Sequence, residues 1–213
     1  MPPNVSIIVP FAGSTLDLIP DLRAATEGAE LIIVDNASDD ATADALRALE
    51  PSVYIRNETN LGFAAGNNQG YARATGDVIM FLNSDVAAAP GWLRAVMADV
   101  RDGALYGPSL QTQLVAGRHV LYLEGWCVAA TRATWERLCT ITHPGYVEAS
   151  SRNGKKTRIL AGEDAAVKHG PWPSTTYPGP YWEDNAVCLE ALLLGIDLVQ
   201  TAWQVSHKGG RTA

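Results

Sequence analysis

The run Gly76-Asp77-Val78-Ile79-Met80-Phe81-Leu82-Asn83-Ser84-Asp85 constrains this chain more than any other stretch. Val78 to Leu82 is an unbroken apolar block, long enough for a strand and too short for a typical helix. An apolar block without alternation suits a strand buried on both faces. Asn83-Ser84-Asp85 stands where that strand must end. In open α/β sheets ligands bind beyond the carboxyl ends of the strands, so this triplet is placed to hold a phosphorylated ligand or a metal.

The flanking sequence supplies the rest of such a sheet. Val5–Val9 reads as a strand stopped by Pro10, followed by a Ser14-capped helix through Leu16, Leu18 and Leu22 that Pro20 interrupts. Leu31–Val34 is a second buried strand ending at Asp35-Asn36. Ser38-Asp39-Asp40 then supplies a helix cap with acidic first-turn residues for an Ala/Leu helix to about Glu50. Val53–Ile55 is a short third strand. Leu61–Ala74 carries Gly62, Gly66 and Gly70 four apart, on one helix face. Those glycines allow either a helix pressed close to the sheet or a bare helix start for a diphosphate. Strand and helix alternate as far as Leu82, which predicts a mostly parallel, helix-covered sheet.

The second half is less regular. Strands are expected near Ala104–Tyr106, Val120–Leu123 and Ile196–Val199, with helices over Gly91–Val100, from Thr131 to about Leu138, and from Trp182 to about Leu194. Residues 140–180 are rich in Gly, Pro, Ser and Thr and read as a long loop with a lid or acceptor role.

Composition removes several functions. A net charge of −7 argues against general nucleic-acid binding, which depends on Lys and Arg. Cys127, Cys139 and Cys188 are odd in number and show no CxxC spacing, so reduced thiols in a cytoplasmic protein are expected. No signal-like start or membrane-length apolar run is evident. The first strand leads into Pro10-Phe11-Ala12-Gly13-Ser14, not Gly-x-Gly-x-x-Gly, and no Gly-Lys-Ser/Thr loop occurs. A sugar nucleotidyltransferase would want a Gly-rich, basic signature at that same place.

Asp35-Asn36, Asn83-Ser84-Asp85, Glu183-Asp184 and His207 are the polar clusters that stand out. Taken singly, each has a structural explanation as turn former or helix-dipole partner. As an ordered set they resemble the family-2 glycosyltransferases, in the rhamnosyltransferase-like subgroup. The stretches that carry the resemblance are Val5–Pro10, Ile32–Asp40, Asn60–Asn68, Phe81–Asp85, Glu124–Cys127, Trp182–Asp184 and His207–Gly210.

The resemblance implies an α/β GT-A fold, a Rossmann-like sandwich with a mixed, mostly parallel central sheet. Residues 1–213 would form one such domain, with 1–100 binding the nucleotide-sugar and 101–213 binding the acceptor and carrying catalysis. It further implies sugar transfer, with inversion, from a UDP-, GDP- or dTDP-sugar to a hydroxyl on a glycan or other acceptor. Pro10, Phe11 and Asp35 would line the base and ribose pocket, and Asn60, Gly66 and Asn67 the sugar-nucleotide, with Asn83 and Ser84 beside the diphosphate. Asp85 and His207 would hold Mn²⁺ or Mg²⁺. Asp184 would be the catalytic base with Glu183 beside it, and Glu124, Trp126 and Trp182 would shape the acceptor site. Asn83 stands where the family's metal motif has its first Asp, which leaves the site one negative charge short. A nucleotide-sugar-binding protein without turnover is the competing reading, and the presence of both Asp184 and His207 argues against it.

Overall fold

A computed structural model describes residues 4–13, 16–115, 118–140, 145–150, 156–161, 170–172 and 183–209. Its centre is a seven-stranded sheet. The strands, in chain order, are β1 (Val5–Phe11), β2 (Glu30–Asn36), β3 (Val53–Asn57), β4 (Val78–Leu82), β5 (Val86–Ala88), β6 (Ala104–Gly107), β7 (Leu110–Val115), β8 (Arg118–Leu123), β9 (Cys127–Thr131), β10 (Gly145–Ser150), β11 (Lys156–Ala161), β12 (Asp197–Gln200) and β13 (Val205–His207). The helices are α1 (Ile19–Thr26), α2 (Asp40–Arg47), α3 (Phe63–Tyr71), α4 (Trp92–Asp99), α5 (Arg132–Cys139) and α6 (Glu183–Leu193).

The main sheet runs β12-β6-β9-β4-β1-β2-β3. Pairing is parallel from β4 through β3 and between β12 and β6. Strand β9 runs against both of its neighbours, β4 and β6. This is the mixed, mostly parallel α/β sheet expected from the sequence. The apolar block of β4 is buried on both faces as its composition demands. Val78, Met80 and Leu82 join one core with Trp92, Leu93 and Val96 of α4, while Ile79 and Phe81 enter the other with Trp135, Val187 and Ala191. Each such side chain contributes about 1.5–3 kcal/mol.

Several boundaries differ from those expected. Pro10 does not stop β1, which continues to Phe11. Pairing with β4 ends at Ile8, so the missing N–H of Pro10 costs no ladder bond on that side. Pro20 lies in the first turn of α1 and opens that helix after a 3₁₀ turn at Leu16–Leu18; the expected cap, Ser14, lies outside the described residues. The cap of α2 is Asp39, whose side chain accepts the Thr42 N–H at 2.8 Å; Ser38 precedes it. Residues 140–180 are not a featureless loop. They contain the β10–β11 hairpin, which joins β7 and β8 in a four-stranded sheet.

The glycines of α3 are explained by packing. A Cβ on Gly70 would sit 2.3 Å from Ile8 Cγ2, and one on Gly66 would meet Asn36 Nδ2 at 3.1 Å and Pro10 Cβ at 3.3 Å. The helix rests directly on β1 and β2, and the Gly66 N–H is already donated to the Gly62 carbonyl at 3.2 Å.

Candidate functional site

Parallel pairing puts the ends of β1, β2 and β4 on one edge of the sheet, with Phe11 in register with Asp35. Asp35 is fully buried there. Its Oδ1 accepts the Ser38 N–H at 2.8 Å and its Oδ2 accepts the Tyr54 hydroxyl at 2.5 Å. Arg56 Nη1 lies 3.6 Å from the same Oδ2. Burial, then the Asp35 bond, pushes the Tyr54 phenol up to about 12, so it remains a donor. Sequence reasoning does not single out Tyr54 and Arg56. They alternate on one face of β3, and that two-residue period is the signal that could reveal them.

Around α3, the Asn60 side chain accepts the Gly62 N–H at 2.9 Å and so shapes the helix entry. Pro10 borders the edge beside Gly66. Phe11 is buried in the core and presents no side-chain surface to a ligand. Asn67 is 0% exposed, and neither atom of its amide has a hydrogen-bond partner among the described residues.

The end of β4 meets the far end of the chain. β13 pairs antiparallel with β5, opposing His207 to Val86, and the Lys208 N–H donates to the Asp85 carbonyl at 2.8 Å. This two-stranded pairing is not legible in the sequence, because three-residue strands carry almost no pattern. It brings His207 Nε2 to 2.9 Å from Asp85 Oδ1 and 3.3 Å from Asn83 Nδ2. Asp85 is 1% exposed and Ser84 2%. Carboxylate and imidazole are both good ligands for a divalent cation. Among the described residues, no group of three or more His, Cys, Asp or Glu gathers in a metal-binding arrangement.

The loop between β8 and β9 joins this corner to α6. The Asn83 N–H donates to the Trp126 carbonyl at 2.8 Å. The Trp126 ring stacks on His207, with centroids 5.2 Å apart and planes 6° from parallel. Its indole N–H donates to Glu124 Oε2 at 3.2 Å, which also accepts the Ser109 hydroxyl at 2.5 Å. The Gly125 N–H donates to Asp184 Oδ2 at 3.2 Å, while Asn185 donates its N–H to Asp184 Oδ1 at 2.8 Å.

Burial raises the Asp184 carboxyl from its ordinary value to about 6. The Gly125 and Asn185 N–H groups work against that rise, and the neighbouring Glu183 adds to it. Trp182 lies outside the described residues. The Trp172 of the Pro171-Trp172-Pro173 run, which the sequence suggests for an acceptor or surface role, instead packs here fully buried, its Cη2 3.3 Å from where a Cβ on Gly125 would stand.

Residues 6–118 match the Glycosyl transferase family 2 model. The uncharacterized glycosyltransferase YfnE of Bacillus subtilis (strain 168) is 34% identical over 94 residues, 40% of this chain and 24% of that protein. Glycosyltransferase AglE of Haloferax volcanii is 25% identical over 200 residues, 86% of this chain and 61% of that one. The chain therefore spans from about a quarter to under two thirds of these relatives. Among solved structures, mannosyltransferase PcManGT from Pyrobaculum calidifontis, in complex with GDP-Man and Mn²⁺, superposes with a TM-score of 0.61 at 16% identity. That superposition covers 94% of this chain and 55% of the other, and supports the GT-A type of α/β fold. No helix among the described residues is long and apolar enough to cross a membrane. With more than half of its residues, 6–118 of 213, matching the family model, the chain belongs to glycosyl transferase family 2.

Proposed function

We propose that this chain transfers a sugar, with inversion, from a nucleotide-diphospho-sugar to an acceptor hydroxyl, using Asp184 as general base. One observation supports this most. The Glu124–Trp126 segment touches both halves of the required chemistry. Its Gly125 N–H holds Asp184, and its Trp126 contacts Asn83 and His207 beside Asp85.

In this reading Asp184 accepts the acceptor's hydroxyl proton as the acceptor oxygen bonds to the anomeric carbon. The bond from that carbon to the diphosphate oxygen breaks, and the nucleoside diphosphate leaves with the electron pair. A base whose pKa is near 6 is ionised at neutral pH yet still basic enough to take a proton. A single base opposite the leaving group implies one in-line displacement, hence inversion. Asp35, buried and held by Ser38, Tyr54 and Arg56, would shape the sheet edge that receives the nucleoside.

Asp85 and His207 would hold a divalent cation, with Asn83 as a neutral neighbour. Such a cation, when bound, neutralises charge developing on the diphosphate. A protein of this fold has been solved in complex with GDP-Man and Mn²⁺, which makes Mn²⁺ and a GDP-sugar the first pair to try. The test is a screen of UDP-, GDP- and dTDP-sugars with Mn²⁺ or Mg²⁺, read as nucleoside diphosphate release. A donor that binds wild-type protein and is turned over by it but not by Asp184→Asn supports the assignment. Donor binding without turnover on any acceptor class would favour a binding protein.

A further inference from the structure

The segment Gly170–Trp172 is fixed to α3 from 104 residues away. Asn68 Nδ2 donates to the Trp172 carbonyl at 2.9 Å, and the Trp172 N–H donates back to Asn68 Oδ1 at 3.0 Å. The side-chain amide thus pairs with the segment as a peptide group would. Gly170 lies flat against it: a Cβ there would fall 2.3 Å from Asn68 Oδ1, so a side chain would drive the segment off.

The Trp172 ring is 0% exposed. It meets Phe63 of α3 edge-on at 4.9 Å and Phe81 of β4 edge-on at 5.2 Å. The tip of the ring abuts Gly125 on the side where Asp184 also packs, its Cβ 3.0 Å from where a Gly125 Cβ would stand. The indole N–H has no partner among the described residues, so shape holds the ring in place. One side chain therefore wedges together the donor-side helix, the strand leading to Asp85, and the loop that holds Asp184.

We propose that Trp172, hung from Asn68, is a positioning residue for Asp184. It closes the apolar side of the carboxylate and keeps water from it. This rests on Asp184 being the base. Among the described residues, the polar and charged groups facing Asp184 include Glu183, Asn185 and Cys188 of α6, and the Gly125 N–H. Glu124, next in the loop, is engaged by Ser109 and Trp126. From α3 and β4 this side receives the apolar rings of Phe63 and Phe81, so displacing Trp172 admits water without removing a charge.

The experiment is a ¹³C-carboxylate NMR titration of the full Asp-labelled chain without ligand. The Asp184 signal is identified by its loss in Asp184→Asn. Wild type is expected to titrate near 6, above the ordinary carboxylate range because of burial. Trp172→Ala and Asn68→Ala are expected to lower that midpoint by about one pH unit, toward the ordinary carboxylate range, while Trp172→Phe keeps it within about 0.3. An unchanged Asp184 titration in a folded Trp172→Ala or Asn68→Ala protein overturns the proposal. If Trp172→Ala does not fold, Asn68→Ala decides. Turnover is read separately: if Asp184→Asn retains activity, the base assignment fails whatever the titration shows. If Asp184→Asn is inactive and the titration is unmoved, only the role of Trp172 fails.

Discussion

His207 Nε2 lies 2.9 Å from Asp85 Oδ1, a contact between residues 122 positions apart in the chain. It exists because β13 pairs with β5 immediately after Asp85, and Trp126 stacks on the imidazole. Ring orientation is therefore set before any cation arrives. Replacing His207 by Ala should weaken Mn²⁺ binding by at least about ten-fold, measured by electron paramagnetic resonance in the presence of a nucleoside diphosphate. Asp85→Ala should weaken it further, because the carboxylate supplies the negative charge that Asn83 does not. Equal Mn²⁺ affinity in all three proteins would remove both residues from the metal site.

A second expectation concerns turnover. A positioned general base typically accounts for about 10²–10⁴-fold of rate. Asp184→Asn should lose at least about a hundred-fold in kcat with donor affinity within about two-fold, measured by calorimetry with the active nucleotide-sugar. A comparable loss of donor affinity would instead place Asp184 in the binding pocket. Glu183→Gln should be far milder, since its carboxylate acts on Asp184 through its charge.

Much of this site can be read from the chain because it sits where strands end. Asp35-Asn36 and Asn83-Ser84-Asp85 each follow an apolar run, and parallel pairing sends both to one edge. His207 can be named through its family resemblance, but the β13–β5 pairing that delivers it cannot. The buried placement of Trp172 is hidden for a different reason. Gly170-Pro171-Trp172 has no periodicity, and its partner Asn68 looks in sequence like one more polar helix residue. The antiparallel β9 escapes sequence reasoning because Cys127–Thr131, largely buried, is short and follows a turn. Local pattern reports elements, whereas contacts across a hundred residues depend on the packing itself.

Asp35 offers a test of the donor side. The Tyr54 hydroxyl donates to Asp35 Oδ2 at 2.5 Å, with Arg56 Nη1 3.6 Å away on the same oxygen. Removing the hydroxyl leaves a fully buried carboxylate with one fewer strong donor. Tyr54→Phe should destabilise the fold by about 1–3 kcal/mol, measured by urea denaturation, and weaken nucleotide binding. Retained stability with weakened binding would mean that Arg56 compensates in the fold but not in the pocket.

Gly70 tests the close packing of α3 on the sheet. Alanine is the better helix former by about 1 kcal/mol, so a purely helical argument predicts that Gly70→Ala stabilises. The added Cβ would lie 2.3 Å from Ile8 Cγ2, which forces the helix away from β1. Overpacking of this kind costs about 1–3 kcal/mol. Net destabilisation is expected by urea denaturation, and Ile8→Ala, which removes the clashing Cγ2, should cost less in the Gly70→Ala background than in wild type.

The pH dependence of stability follows from the raised carboxyl of Asp184. Its pKa is about 6 in the folded chain against an ordinary 3.8, mainly because burial disfavours the ionised form. Between those two values the folded chain holds a proton that the unfolded chain has released. Stability from this residue is therefore fully present below about pH 4, declines as pH rises toward 6, and is level above it. Asp184→Asn cannot ionise and escapes this loss. The variant should match wild type near pH 4 and become the more stable protein by about 1–3 kcal/mol at pH 7.5, at roughly 1.4 kcal/mol for each tenfold change in proton affinity. Urea denaturation of both proteins across that range measures the difference directly. A constant difference at every pH would show that the amide acts through packing alone, and that the carboxylate is not destabilised by its surroundings.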